Sequence, residues 1–471
     1  MNATVHALPV DSEPRLPLDI QLAIVDACPD MRTRLMLVST HKTLRKWGAR
    51  LVLQPPSAHV RLYSGPAARS FFMFLLHTLA IALATVEPVG IWNLAILLAN
   101  VPRLTSLTLY DPEEVLCRHP SLYDAFRRLR TLKTFQVHDA QVMAFKLVSE
   151  VASALEYVTI KPRHLHNTSR SLMLEVALGP HKYSLTHVGV TFANGLPGPH
   201  PVVFENVREL VVAVCICPGA SYYMEAFPKA IYLHVGTSIT MATKRDAFME
   251  RIRSQNLEAV RASHGGLVDP GDCWPSLKRV RGGLLDLYIF GNSCSVATLL
   301  IEGTIKSDWA CVPVVVKSHH PAILRLSVTP SLPVDLWEKD WRMMCSVNYL
   351  VLQFVVDDQV DLESLTDTAI RAVGSFVHCK YVFLDFKATS DAAHSQLRHL
   401  NHPSLRCIVE DRQLGPFQLA VRSPSKTTYW RHCPDLGRKK ESRWEVRHMA
   451  AKTNFQALYC FPKDHVTDDW V

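Results

Sequence analysis

The sequence lacks the short motifs that mark many catalytic and cofactor sites. It contains no G-x-G-x-x-G, no Walker phosphate-binding loop, no G-x-S-x-G and no H-E-x-x-H. Dinucleotide binding, serine-hydrolase chemistry and zinc-protease chemistry therefore have no motif to support them. Acidic pairs such as Asp357-Asp358 stand in turn-like sequence, where adjacent carboxylates are usually solvated. We predict a protein that is not an enzyme and that needs no cofactor.

Metal-ligand and disulfide patterns are also missing. The twelve cysteines include no Cys-x-x-Cys pair. None of the closest His and Cys groupings among the 22 histidines has the paired spacing of a zinc site. These groupings are His164 with His166, His319 with His320, and Cys117 with His119. We expect no metal site and reduced thiols.

The first residues, MNATVHALPVDSEP, have neither a basic segment nor an apolar segment of a secretory signal. The longest uncharged apolar run, Ser70–Val86, has 17 residues, at the lower limit for crossing a bilayer. His77 interrupts it and Glu87-Pro88 follows it. Two buried helices, at about 68–86 and 89–100, explain this region better than one span. We expect a cytoplasmic or nuclear protein with no membrane contact.

Charge is unevenly distributed along the 471 residues. The chain carries a net charge of +8, and the segment 422–452 holds nine basic residues against three acidic ones. The rest is near neutral, which argues against a protein-wide nucleic-acid surface. The cluster Arg438-Lys439-Lys440 is consistent with a nuclear address or a phosphate-binding patch, but a polar cap on the last structural repeat explains it better.

Length and composition predict a globular chain of two or more domains, since 48% of residues are hydrophobic and 20% are charged. We assign a helical module to residues 15–53, a repeat domain to 54–420, and a basic C-terminal cap or tail to 421–471.

The helical module has the capping and spacing signals of three short helices. Asp19 can cap the first helix, on which Ile20 and Ile24 share one face. Pro29 ends that helix, and Gly48 is suited to end the third.

This stretch resembles an F-box, the module that joins a substrate receptor to the Skp adaptor of a cullin–RING ubiquitin ligase. The resemblance implies adaptor contacts through an apolar helical face. The matching residues are Leu16, Pro17, Ile20, Ile24, Leu35, Val38 and Trp47. His41 and Lys42 stand where the family usually has a tryptophan after Val-Ser. The alternative is an ordinary N-terminal helical cap on a larger domain.

A repeated L-x-x-L-x-L pattern follows the module. Leu104–Leu109 has it, Leu132–Val137 and Leu155–Ile160 are similar with Phe, Val or Ile at the later positions, and further such strands are predicted as far as Leu405–Val409, at steps of about 20–33 residues. Leu257–Ala262 and Leu284–Phe290 are among these predicted strands. Amphipathic helices are predicted between them, as at Pro112–Leu129 and Asp361–Val377.

Strands of one kind alternating with helices give a parallel sheet with helices on its outer face. The pattern resembles the degenerate leucine-rich repeats that often follow an F-box. The predicted fold is therefore α/β, with a short three-helix F-box followed by an irregular leucine-rich-repeat solenoid. A doubly wound α/β domain is the alternative.

Each repeat should bury its leucines and turn the intervening residues outward along one concave surface. We expect these residues to bind a target protein. They are Thr108, Gln136, Thr159, His187, His234, Arg325, Gln353 and Asp385.

The two resemblances together imply a non-catalytic substrate-recognition subunit of a Skp–cullin–F-box ubiquitin ligase. The expected partners are the Skp adaptor, through it a cullin, and a target protein. Two alternatives stay open at this point: a repeat scaffold unconnected to ubiquitin, and an enzyme of non-repetitive α/β fold with a single deep pocket.

Overall fold

The chain divides into two compact units, residues 1–154 and 155–471, in a computed structural model. The structure describes residues 78–82, 94–95, 98, 104–163, 175–192, 202–214, 220–237, 246–263, 274–291, 294–303, 306–328, 346–375, 379–397, 417–422, 426–433 and 443–450. The predicted F-box-like module, 15–53, and the predicted strand at Leu405–Val409 lie outside these residues.

Among the described residues of the first unit, three parallel strands follow one another in sequence order with three short helices between or after them, and Leu94, Ala95 and Leu98 are helical as well. The strands are β1 (Thr78–Ala82), β2 (Ser106–Tyr110) and β3 (Thr134–Ala140). The helices are α1 (Glu113–Arg118) and α2 (Pro120–Arg127), which lie between β2 and β3, and α3 (Val142–Glu150). The prediction of one helix over 68–86 is wrong at β1, whose residues pair in register with β2.

The second unit contains a sheet in which each strand pairs with the next one along the chain. Its first ten strands run parallel. They are β4 (Tyr157–Pro162), β5 (His187–Phe192), β6 (Glu209–Val214), β7 (Tyr232–Thr237), β8 (Arg279–Gly283), β9 (Thr298–Glu302), β10 (Ile323–Val328), β11 (Tyr349–Val356), β12 (Tyr381–Ala388) and β13 (Phe417–Arg422). Two antiparallel strands, β14 (Lys426–Cys433) and β15 (Arg443–Ala450), continue from β13.

Helices connect many of the parallel strands of the second unit. They are α4 (Ala220–Ala226), α5 (Asp246–Ser263), α6 (Leu284–Phe290), α7 (Val312–His319), α8 (Leu362–Ser375) and α9 (Asp391–Leu397). The α/β class and the parallel sheet with helices on its outer face are therefore confirmed.

The leucine positions form the core for the reason that the pattern predicted. Alternate side chains of a strand point to opposite faces of the sheet. Leu107 and Leu109 of β2, like Leu210 and Val212 of β6, are fully buried, and the residues between them are more exposed. The helices bury apolar residues of their own, such as Leu365 of α8. The strand pattern therefore fixes which face of each strand joins the core.

Two predicted strands are helices. Leu257–Ala262 lies within α5, where Ile252, Asn256 and Val260 are buried at four-residue spacing. Leu284–Phe290 is α6, which ends at Gly291 in the left-handed conformation, with a φ of 64°. Both are short apolar runs, whose periodicity fits either structure.

A ladder of polar side chains joins successive repeats just before the strands. Each donates a hydrogen bond to a backbone carbonyl oxygen 23–46 residues earlier, at 2.6–3.3 Å. The donors are Thr131, Ser153, Ser184, Asn206, Ser276 and Cys379. Two of the donors, Ser184 and Ser276, stand directly before the buried Leu185 and Leu277, so these bonds give the Ser-Leu pairs there a structural role. They also satisfy carbonyl groups at the turns, which would otherwise be costly to bury.

We expect Ser184→Ala to lower the free energy of unfolding by about 1 kcal/mol, the typical net value of one hydrogen bond. The Ser184 hydroxyl donates to the Leu155 carbonyl at 2.7 Å, and the site is partly buried. Urea denaturation would measure the loss. Ser149→Ala is the matched control, because that hydroxyl is exposed and bonds only within α3. Equal stability of the two variants would contradict a structural role for the ladder.

Candidate functional site: the second face of the sheet

We call the side of each strand that turns away from the core leucines the second face. In the first unit, strand pairing places Thr108 directly beside Gln136 on this face. In the second unit, the six other predicted target-binding residues share it. Strand pairing connects them through residues that stand an even number of positions apart on each strand and therefore point to the same side of the sheet. Their role in binding a target stays a prediction.

Within the second unit, these six residues are not a continuous line. Thr159 of β4 pairs with Gly189 of β5. His187 stands two residues before Gly189 on β5 and pairs with Tyr157 of β4. His234 pairs with Arg281 of β8. Gln353 pairs with Asp385, and Arg325 pairs with Val351. The register therefore pairs Gln353 directly with Asp385, places Thr159 and His187 on neighbouring strands one row apart, and separates His234 from the other predicted residues by intervening strands.

Exposure divides the second face into two parts. On β4 to β8 its side chains are mostly half-exposed, including Thr159 and His234. On β9 to β12 many are buried on both faces, as Leu300 (4% exposed) and Phe383 (0%) show. A partner can therefore reach the β4–β8 part more readily.

Asp385 differs from the expectation that it points outward to a partner, because it is completely buried. Its carboxylate accepts a hydrogen bond from Gln353 Nε2 at 2.8 Å, and Ser327 Oγ donates to Gln353 Oε1 at 3.3 Å. A buried carboxylate is stabilised by such bonds. Asp385 therefore orients Gln353 and is not itself an accessible contact.

His187 is the centre of a polar cluster at the start of the second face. Its ring stacks on Tyr157 with centroids 3.8 Å apart, and its Nδ1–H donates to the Glu209 carboxylate at 2.7 Å. Burial lowers the pKa of His187, and the bond to Glu209 opposes this only in part. Its Nε2 is buried with no hydrogen-bond partner among the described residues. The imidazole is therefore held neutral near pH 7, with its tautomer set by Glu209.

A second cluster lies on β7 to β9 and is rich in guanidinium groups. Arg279 lies over the Tyr232 ring at 5.3 Å, a cation–π distance. Arg281 binds Glu302 through Nε and Nη2 at 2.9 and 2.7 Å. Burial, and then the charge of Arg281, lowers the pKa of His234. This part of the face therefore holds two guanidinium groups, one of which is paired with a carboxylate.

Sequence reasoning missed six members of these clusters. They are Tyr157, Glu209, Tyr232, Arg279, Arg281 and Glu302. The strand pattern could have identified them. Each points to the same side of its strand as a predicted residue, or as the residue that pairs with a residue of this face on the neighbouring strand. The prediction names at most one residue for each strand and none for β6, β8 and β9, although a strand of five or six residues presents two or three on one face.

The structure does not place the predicted adaptor-binding residues, and it bears on metal and membrane sites only in the described part of the chain. The seven predicted adaptor-binding residues, Leu16 to Trp47, lie outside the described part of the chain. Within the described part, no three His, Cys, Asp or Glu side chains come together as a metal site. In the same residues, no helix combines the length and apolar character needed to cross a membrane.

Comparison of this chain with models of protein families and with curated proteins found no match in either.

Proposed function

We propose that this chain is a non-catalytic substrate-recognition subunit of a Skp–cullin–F-box ubiquitin ligase. The observation that carries the recognition half is the partly exposed second face of β4 to β8, built by consecutive parallel strands. It offers hydrogen-bonding and aromatic groups in fixed positions, which suits the binding of a protein segment. Repeat arrays commonly bind partners on such a sheet surface.

The ubiquitin half of the proposal rests on the resemblance of residues 15–53 to an F-box. Leu16, Pro17 and Ile24 would contact the Skp adaptor, and the adaptor would join the chain to a cullin in the cytoplasm or nucleus. The leucine-rich-repeat character of the sheet is part of the same proposal, since the strand pattern L-x-x-L-x-L supports it.

The mechanism would be proximity. Holding a target beside a charged ubiquitin-conjugating enzyme raises the effective concentration of its lysines near the reactive thioester. No residue of this chain then needs to perform covalent chemistry. The second face would choose the target, and the N-terminal module would deliver it.

We expect Ile24→Ala to weaken adaptor binding at least about tenfold, because burying such a side chain at an interface is worth roughly 1.5–3 kcal/mol. Titration of the purified Skp adaptor, followed by calorimetry, would measure this. Val142→Ala is the matched control, since Val142 is 58% exposed on α3. Adaptor affinity unchanged by Ile24→Ala would count against the docking face.

A further inference from the structure

The register continues the two faces of the sheet through its last three strands. Leu384 of β12 is fully buried and pairs with Leu419 of β13. Leu419 pairs in turn with Trp430 of β14, and Trp430 pairs with Val446 of β15. Because alternate residues of a strand belong to opposite faces, these positions continue the core face, and their immediate neighbours along each strand belong to the second face.

The basic residues of these strands are concentrated on the second face. Together β13, β14 and β15 contain five arginine and lysine residues, and four of them have second-face positions. The four are Arg422, Arg431, Arg443 and Arg447. The fifth, Lys426, has a core-face position.

Acidic residues offset only part of this charge. Glu445, the one acidic residue within these three strands, stands directly opposite Arg431 in the register. On the second face of β12, Asp385 is fully buried and already accepts a hydrogen bond, whereas Lys387 is exposed and pairs with Arg422. Five basic residues therefore share this end of the second face with two acidic ones, which leaves a net charge of +3.

An aromatic residue, Tyr429, has a second-face position among these arginines. Ala420 pairs with it on one side and Arg447 on the other, and Arg431 follows two residues later on the same strand. Cα atoms of paired residues lie about 5 Å apart, and residues two positions apart on a strand lie about 7 Å apart. The register therefore places one aromatic position beside two arginine positions and next to a small residue.

We infer that the second face of β13 to β15 binds single-stranded nucleic acid. Guanidinium groups bind phosphate oxygens in pairs, and proteins that hold single strands combine such groups with aromatic rings on which bases stack. In this assignment Arg422, Arg443 and Arg447 bind phosphates, and Tyr429 stacks on a base. An acidic protein segment fits less well, because it leaves the aromatic position without a role. The site is confined to one face of three strands, which agrees with a chain that is near neutral elsewhere, and it does not depend on the proposed function.

The test uses the full chain and fluorescein-labelled strands of twelve thymidine or twelve uridine nucleotides, with binding followed by anisotropy. The tighter of the two strands identifies DNA or RNA as the preferred ligand. We expect Arg443→Gln combined with Arg447→Gln to weaken binding at least about tenfold, because charge-assisted hydrogen bonds are lost. The slope of log Kd against log salt should fall by about 1.4, since each phosphate contact on a single strand contributes about 0.7. Lys426→Gln is the matched control, because it removes a positive charge from the core face of the same strands, and it should leave affinity and slope unchanged.

A second pair of variants tests the aromatic position without altering charge. Tyr429→Ala should weaken binding about fivefold or more, because stacking of a base on the ring is lost, while the salt slope stays that of the parent chain. Tyr429→Phe keeps the ring and should bind within about twofold of the parent. Far-UV circular dichroism of each variant establishes that the chain is folded.

Four results would overturn the inference. They are no binding of either strand at about 100 mM salt, equal weakening by Lys426→Gln and the double arginine variant, parent affinity in folded Tyr429→Ala, and binding of a twelve-glutamate peptide as tight as that of the strands. The last result would assign the face to an acidic protein segment. Adaptor binding is measured on the same preparations, and its absence from a chain that binds the strands would reject only the ubiquitin half of the proposed function.

Discussion

Trp274→Ala should lower the free energy of unfolding of the second unit by about 3–5 kcal/mol, the usual range for deleting a buried aromatic side chain. Trp274 is 1% exposed and stands in the turn that leads into β8. Its Nε1–H donates to the Phe227 carbonyl oxygen at 3.2 Å, which ties this turn to the chain that precedes β7. The alanine variant loses packing and leaves the carbonyl without this donor.

Urea denaturation followed by far-UV circular dichroism would measure the loss. Trp274→Phe separates the two contributions, because it keeps most of the ring volume and removes only the donor. We expect it to fall between the parent and the alanine variant. A loss below about 1 kcal/mol for Trp274→Ala would mean that the turn does not hold β8 in place.

Acidification from pH 6.5 to about pH 4 should destabilise the second unit by about 3 kcal/mol through His319 alone, since one pKa unit corresponds to 1.36 kcal/mol. His319 ends α7 and is 2% exposed, and its Nδ1 lies 2.8 Å from the Val315 carbonyl oxygen. Burial lowers its pKa from 6.5 to about 4. In this window the unfolded chain binds a proton that the folded chain does not, so stability falls as the pH falls.

His319→Gln should remove most of this slope, because glutamine does not titrate and its amide can still donate to the Val315 carbonyl. Free energies of unfolding measured at half-unit steps between pH 7 and pH 5 would give both slopes before most carboxylates protonate. His187 and His234 have lowered pKa values too and contribute with the same sign in both chains. Parallel slopes for parent and variant would exclude His319 as the source.

The strands were predictable where leucines recur at alternating positions. Leu107 with Leu109, and Val158 with Ile160, could only be buried together on one side of a strand. The prediction of a strand at Leu257–Ala262 was wrong because its apolar residues fit the spacing of a strand and that of a helix equally well. The buried Asn256, whose amide donates to the Ile289 carbonyl, belongs to the helical spacing. Local pattern cannot show which neighbour an ambiguous segment meets.

The second face could be predicted as a set of positions but not as a surface. The alternation of side chains along a strand depends only on the local sequence. All eight predicted residues therefore lie on the second face of their own unit. Burial of Asp385 depends on contacts distant in sequence, and so does the pairing of Arg281 with Glu302 across two strands. The guanidinium-rich cluster on β7 to β9 could therefore not be predicted before the register of these strands was known.

The most direct test of the proposed function is co-purification with the Skp adaptor. The full chain and a version that begins at Pro55 would each be expressed with the adaptor and isolated through a tag on the chain. Circular dichroism on both would establish that they are folded. The account predicts that the adaptor is recovered with the full chain and lost with the truncated one. A folded full chain that recovers no adaptor would contradict it and would leave a repeat scaffold unconnected to ubiquitin.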